Sequence, residues 1–458
     1  MTPVAQDGDP LLDAARFGWF QARAIVICAL VALLDGFDTQ SIAFAAPVMA
    51  REWALPIADF APVFAAGLFG GLVGGALLGR LADRFGRKSV LYIALALVAI
   101  GSGITVGLSE RTTLIAARLI AGFGLGGALP CVIALTAEYA PSRLRTSLTT
   151  AMFCAFPFGA ALGAVIASPL LVKGEWRAVY WIGTAAPVLA IPLVALFVPE
   201  SLGFLRRRGR KDAMTRIVVR LGGDVDFVSA AKADLPNAAN APLSAIFGDG
   251  RLAATLALAI AFLVSLLLVY LLVNWVPSFA VAAGVGGGGG AGATAVLNIA
   301  GIVGGLAIAW IGDRTHPWRA IPISYAVAAV VCAGLALVAR QPPPVLLFCA
   351  AAGLLCVGAQ MSLISLAAAI YPSNLRAGAI GLLMGIGRIG AIFGPLLGGS
   401  LLSGETGFSR LSWTVALGSL ICAAVLFLFR PSRKSASEGG SVGQCSHRKV
   451  LEIARPLA

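Results

Sequence analysis

Charge and histidine are what this chain has least of. Asp, Glu, Lys and Arg together make up 12% of its 458 residues, against 59% hydrophobic ones, and no ordinary soluble domain of that length is so composed. Of the two histidines, only His316 precedes the tail. The eight cysteines, Cys28, Cys131, Cys154, Cys332, Cys349, Cys356, Cys422 and Cys445, lack metal-ligand spacing. They read as small hydrophobes, and no metal is expected. The absence of a nucleophile and base set argues against an enzyme, and no cofactor is implied. Acids are scarcest in the second half, where Arg251 to Arg430 holds only Asp313 and Glu405, both in loops. A basic start is missing too: the first twenty residues carry Asp7, Asp9 and Asp13. That does not fit a cleaved signal peptide, so the first apolar span is expected to be retained.

What the chain has in abundance is apolar stretches of about twenty residues, each long enough to cross a hydrocarbon core of roughly 30 Å. Twelve of them can be counted, six on each side of one polar insert. The expected fold is an all-α membrane protein of twelve transmembrane helices in two six-helix pseudo-repeats. The expected divisions are a cytoplasmic segment 1–23, a bundle 24–199, a cytoplasmic linker 200–250, a second bundle 251–430 and a disordered tail 431–458.

A net charge of +13 would suit nucleic acid or an anionic surface, so the placement of the positive residues decides. With the N-terminus inside, one set of loops holds Arg80, Arg84, Arg87, Lys88, Arg143, Arg145, the run Arg206 to Lys211, Arg314, Arg319 and Arg376. The opposite loops hold only scattered residues such as Arg51, Arg111 and Lys173. This bias places both termini in the cytoplasm of a plasma membrane, the inner membrane of a bacterium, and makes basicity a report on topology. Nucleic acid is not an expected partner. The two halves also repeat one another. Pro141-Ser142-Arg143-Leu144-Arg145 recurs as Pro372-Ser373-Asn374-Leu375-Arg376, and Asp83-Arg84 recurs as Asp313-Arg314 at nearly the same offset, as parallel repeats require.

The decapeptide Gly79-Arg80-Leu81-Ala82-Asp83-Arg84-Phe85-Gly86-Arg87-Lys88 resembles the signature loop of the major facilitator superfamily. The resemblance implies a gating loop formed by Gly79, Asp83, Arg84, Gly86 and Arg87, with Asp313 and Arg314 as its counterpart in the second half. Leu34-Asp35-Gly36-Phe37-Asp38, with the glycine-rich runs after Arg118 and around Arg388 and the Asn274-Trp275-Val276-Pro277 segment, is similar to the aromatic acid:proton symporters within that superfamily. This implies import of benzoate-like carboxylates. Two departures stand out: the second signature loop has lost its second glycine, and a run Gly286 to Gly290 stands before span eight.

Asp35 and Asp38 are three residues apart, so on a helix they share a face, near the midplane of span one. Each charge at that depth costs on the order of 2.5 to 3.5 kcal/mol on insertion scales, so two are retained for pairing or for function. A reversible proton site suits them, although one could simply pair. Arg118 in span four reaches a similar depth and is a candidate partner for Asp38, with Glu138 near the cytoplasmic end of the same span as a further acid. Arg388 in span eleven has no acid in its own half. A guanidinium there can hold a substrate carboxylate through two parallel hydrogen bonds, or it can bridge the halves. Trp275 is a candidate ring-stacking residue or an interface anchor. Asn274, Gln360 and Ser362 are candidate contacts to ring substituents.

The glycine and proline spacing Gly381, Gly390, Gly394, Pro395, Gly398, which marks span five in drug antiporters, falls in span eleven and favours import over efflux. The expectation is a monomeric secondary transporter, with lipid bilayer around it, that carries protons and an aromatic carboxylate. A proton-coupled porter for another organic acid, a sugar or a drug is the alternative, and a transporter-like nutrient receptor is the alternative of another class.

Overall fold

The computed structural model describes residues 17–141, 143–220, 243–248, 251–285, 289–338, 344–371, 373–401 and 407–429. The tail, most of the N-terminal segment and Gly286 to Gly288 lie outside the described residues, as does the side chain of Asp313. Among the described residues, twelve helices are long and apolar enough to cross a membrane. In the first half they are α1 (Trp19–Glu52), α2 (Ala61–Phe85), α3 (Arg87–Val106), α4 (Arg111–Tyr139), α5 (Arg145–Val172) and α6 (Trp176–Phe197). In the second half they are α7 (Leu252–Ala282), α8 (Gly289–Arg314), α9 (Pro317–Val338), α10, α11 (Ser373–Leu401) and α12 (Gly407–Leu428). Helix α10 runs through Val345–Ala352 and Gly358–Ile370 with a π turn, Gly353–Val357, between them. Two short helices, Leu202–Arg207 and Lys211–Arg220, lie in the insert between the halves.

Hydrocarbon offers no hydrophobic gain for bringing helices together, so close packing has to come from small residues. The α2–α4 contact is built this way from both sides. A Cβ on Gly74 would fall 2.0 Å from the Phe123 carbonyl oxygen, and one on Gly122 would fall 2.0 Å from the Gly67 carbonyl oxygen. The same device recurs in the second half, where Gly390 and Gly394 of α11 lie against the Leu263 and Leu267 carbonyls of α7 at 2.0 and 2.5 Å by the same measure. The glycine spacing of span eleven is thus the footprint of a tight helix pair. At Gly86, with φ of 100°, a single residue separates α2 from α3, a backbone conformation that suits glycine.

How the halves meet differs between the two ends of the molecule. Away from the chain ends, one apolar cluster runs through both halves and includes Phe44, Met49 and Phe64 with Trp275, Phe279 and Ala291. At the end where α1 and α7 begin, the apolar clusters are separate. One holds Cys28, Leu135, Tyr139 and Val194, and the other holds Leu258, Trp318, Tyr371 and Leu426. Among the described residues, the seam is therefore sealed with apolar side chains at the distal end only.

Packing at α2–α4 gives a stability test. Gly74→Ala must push a methyl into backbone, at a cost of about 1 to 3 kcal/mol by the measure of overpacked cores. It should lower the unfolding temperature of the purified protein by several degrees, whereas Gly79→Ala, with nothing within 4 Å of the new methyl, should leave it unchanged.

Candidate functional site

Three residues along an α-helix correspond to about 300° of turn, so Asp35 and Asp38 point about 60° apart. That modest angle sends them to different neighbours. Asp38, 1% exposed, turns into the first bundle. Its Oδ1 accepts from the Ser102 hydroxyl of α3, and its Oδ2 lies 3.5 Å from Nη1 of Arg118 on α4. Arg118 in turn reaches Ser102 Oγ at 3.4 Å and stands over the Tyr180 ring of α6 at 5.1 Å. One carboxylate thereby ties four helices together, while Nε of Arg118 is buried without a hydrogen-bond partner. The ion pair was legible in the charges; Ser102 and Tyr180 are neutral residues of apolar spans and carried no signal.

Asp35 is buried as well, but it is only half satisfied. Thr39 Oγ1 donates to its Oδ1 at 3.2 Å, while Oδ2 is buried without a hydrogen-bond partner. Arg388 sits on the seam. Its Nη1 donates to the Gly71 carbonyl of α2 at 2.7 Å, and a Cβ on Gly75 would fall 2.8 Å from the same nitrogen. Gly75 of the first half thus makes room for a cation of the second.

The polar candidates of the second half divide by how well they are already satisfied. Trp275 is 0% exposed, its indole N–H donates to the Pro395 carbonyl at 2.8 Å, and its ring meets Phe64 edge-on at 5.1 Å. Asn274 donates to the Tyr270 carbonyl at 2.7 Å, and Ser362 donates to the Gly358 and Gly305 carbonyls at 3.3 and 3.4 Å. Gln360 differs: its Oε1 is buried without a partner, three residues past the π turn of α10. Turns of that kind occur often at functional sites. A further feature went unseen in the sequence. Gln40 and Asn298 form a reciprocal amide pair across the seam, at 3.1 and 2.9 Å. Uncharged amides do not stand out when the search is for charges.

At the near end of the first half, the Gly79–Lys88 loop docks on the insert. Arg87 pairs with Glu138, and Ser201 Oγ donates to the same Glu138 oxygen at 3.1 Å. Glu200 accepts from the backbone N–H groups of Lys88 and Ser201 at 3.1 and 2.9 Å. Farther along the insert, Arg207 lies 3.7 Å from Asp83, and Arg208 donates to the Arg84 carbonyl at 2.5 Å. A Cβ on Gly86 would collide with the Glu200 carboxylate at 2.3 Å, so this glycine serves close approach as well as the turn. Glu138 belongs to this latch and lies apart from the mid-helix acids. Arg314, in the second half, stacks on Trp310 at 3.7 Å.

The family model described as Major Facilitator Superfamily matches residues 28–365. The gallate transporter of Pseudomonas putida is 33% identical over 91% of this chain and 93% of its own length. The 4-hydroxybenzoate transporter PcaK of Acinetobacter baylyi is 30% identical over 92% of this chain and 94% of its own. A solved structure of the xylose transporter XylE from E. coli, in a partially occluded inward open conformation, superimposes with a TM-score of 0.70 at 18% identity. It covers 91% of this chain and 99% of that one. At that identity, the likeness bears on the fold alone. With the family model matched over most of the chain and the two transporters aligned nearly end to end, this chain belongs to the Major Facilitator Superfamily.

Proposed function

We propose that the protein imports an aromatic carboxylate of the hydroxybenzoate class together with protons, by alternating access through the seam between its halves. The observation that carries this reading is Arg388. A guanidinium has five N–H donors, and among the described residues this one donates to a backbone carbonyl, that of Gly71. A half-buried cation so placed on the seam is suited to a bidentate carboxylate. The names of the two relatives, a gallate and a 4-hydroxybenzoate transporter, support an aromatic acid as the bearer of that carboxylate.

Asp35 and Asp38 are the proton-binding groups in this reading. The second-half candidates contribute unequally: Gln360, with an unpaired acceptor, suits a ring hydroxyl, whereas Trp275 packs the seam against Phe64 and Asn274 and Ser362 bond to carbonyls of the second half. With both termini in the cytoplasm, as the basic loops favour, the apolar seal lies on the outer side and the conformation is inward-facing. The Arg87–Glu138 latch and its neighbours then sit at the cytoplasmic surface, where they hold the first bundle together while the halves rock.

Vesicles containing the protein should accumulate radiolabelled 4-hydroxybenzoate when the outside is made acid. Arg388→Lys, which keeps the charge but loses the planar fork, should reduce that uptake at least tenfold. Asp38→Asn should abolish it while the protein still reaches the membrane; full transport by this variant would sink the proposal. Arg118→Leu leaves Asp38 buried beside no cation, at a cost of about 3 to 5 kcal/mol. Adding Asp38→Asn should restore most of the thermal stability without restoring uptake.

A further inference from the structure

A polar link crosses the seam among apolar neighbours. Gln40 of α1 and Asn298 of α8 are both buried. Gln40 Nε2 donates to Asn298 Oδ1 at 3.1 Å, and Asn298 Nδ2 donates to Gln40 Oε1 at 2.9 Å. The same nitrogen donates to the Thr294 carbonyl of its own helix at 2.9 Å, which aims the Asn298 side chain at the seam. Both oxygens and both nitrogens of the two amides are thus engaged. Gln40 lies about 7.5 Å along α1 from Asp35, and one turn farther on stands Phe44, a member of the distal apolar cluster with Phe64, Trp275 and Phe279. Gly399 of α11 closes the seam nearby, where a Cβ would fall 3.0 Å from that of Ala61.

Apolar surface parted at a seam meets water at a cost that rises with its area, and water gives nothing back. An amide pair behaves differently, because water replaces each bond that is lost and the net value of a hydrogen bond is small. A single amide left buried without its partner bears the full desolvation penalty instead. We propose that the Gln40–Asn298 pair is the release point of the distal seal: it holds α1 and α8 in one register while that side is shut, and it lets the side reopen as water takes the place of each partner. This rests on the reading that the halves alternate, with the distal end facing outward. No covalent bond forms or breaks.

The neighbouring hydroxyls give the pair no substitute. Ser41, next to Gln40, donates to the Asp38 carbonyl at 2.8 Å, and Thr294, one turn before Asn298, donates to the Gly290 carbonyl at 3.2 Å. Each is spent within its own helix, so an amide that loses its partner while the seam is shut stays unsatisfied. Two apolar side chains of similar size would leave no such orphan, and they would seal the place more firmly than the amides do. Removing one amide and removing both therefore push the distal side in opposite directions. Gln40 and Asn298 act in this way as positioning residues, which set how readily the halves part without touching proton or substrate.

A cysteine reporter in the full-length protein tests this in intact cells. Ala291 is a buried member of the distal cluster and precedes Asn298 by two turns, on nearly the same face of α8. A membrane-impermeant maleimide added outside should reach Ala291→Cys only when the distal side is open, with the protein lacking the reporter as the blank. Adding Gln40→Leu or Asn298→Leu alone should speed labelling by about fivefold or more, because the surviving amide is orphaned when the seam shuts. Both together should slow it to about a tenth of the parent rate and depress uptake of radiolabelled 4-hydroxybenzoate. Exchanging the two, Gln40→Asn with Asn298→Gln, should return labelling to within about twofold of the parent and restore uptake. The double and exchanged variants carry no orphaned amide, so they decide the matter even where a single variant fails to fold. A double variant that labels as fast as the parent, or an exchanged one that labels as slowly as the double, would overturn the release point. Labelling in the expected order by a protein that carries no aromatic acid would support it and overturn the substrate reading alone. A reporter reached from neither face of the membrane would overturn alternating access, and this inference with it.

Discussion

A charge placed in hydrocarbon must find its answer inside the protein, because no water is there to supply it. Much of the arrangement in the middle of this molecule follows from that constraint. Asp38 draws Arg118 and Ser102 around it and so locks α1, α3 and α4 into one body, with Tyr180 of α6 beneath the guanidinium. Arg388, lacking an acid in its own half, reaches over to a carbonyl of the other half. Asp35 keeps one carboxylate oxygen without a hydrogen-bond partner. Two carboxylates on the same helix, three residues apart, end in opposite conditions because a 60° difference in direction separates bundle interior from seam.

That central chemistry needs helices closer than ordinary side chains permit. The glycines of α2 serve twice. Gly70 and Gly74 let α4 approach, and Gly75, where a Cβ would fall 3.2 Å from the Gly126 carbonyl oxygen of α4, also leaves room for the Arg388 side chain. Since helix positions one residue apart lie about 100° apart around the axis, an interleaved glycine run can present two smooth faces. The α2–α4 contact and the seam are therefore coupled mechanically through a single helix. Bulk added at Gly75 would press on both Arg388 and the α4 backbone, whereas bulk added at Gly74 would press on the α4 backbone at Phe123.

Much of the architecture was legible in the sequence because the bilayer simplifies the reading. Span length and the distribution of arginines follow from membrane thickness and topology alone, and the repeat of Asp83-Arg84 at Asp313-Arg314 exposes two halves. The Asp38–Arg118 pair was legible for the same reason: few charges exist, so few pairings are possible. What escaped was whatever depends on direction around a helix axis or on neutral polar groups. Spacing alone could not show that Asp35 and Asp38 part company, that Trp275 is held by Pro395 and Phe64, or that Gln40 meets Asn298. Glu200 was passed over because an acid at the end of a span looks like ordinary solvated surface, whereas here it accepts two backbone N–H groups at the turn made by Gly86.

The contrast between the two ends of the seam bears on how such a machine can move. The distal seal is apolar, apart from reciprocal amides such as the Gln40–Asn298 pair, and parting it exposes surface to water at a cost that rises with area. The near end holds its polar latch within the first half, where Arg87, Glu138, Glu200 and Ser201 bond to one another. Opening the distal side therefore has to be offset by new contact elsewhere between the halves. In the proposed cycle, a substrate anion at Arg388 would cancel the charge that this residue brings to the seam. Closing the near side over such a neutral centre would be less costly than closing it over a lone guanidinium, and that difference would let the loaded carrier cross while the empty one stays behind.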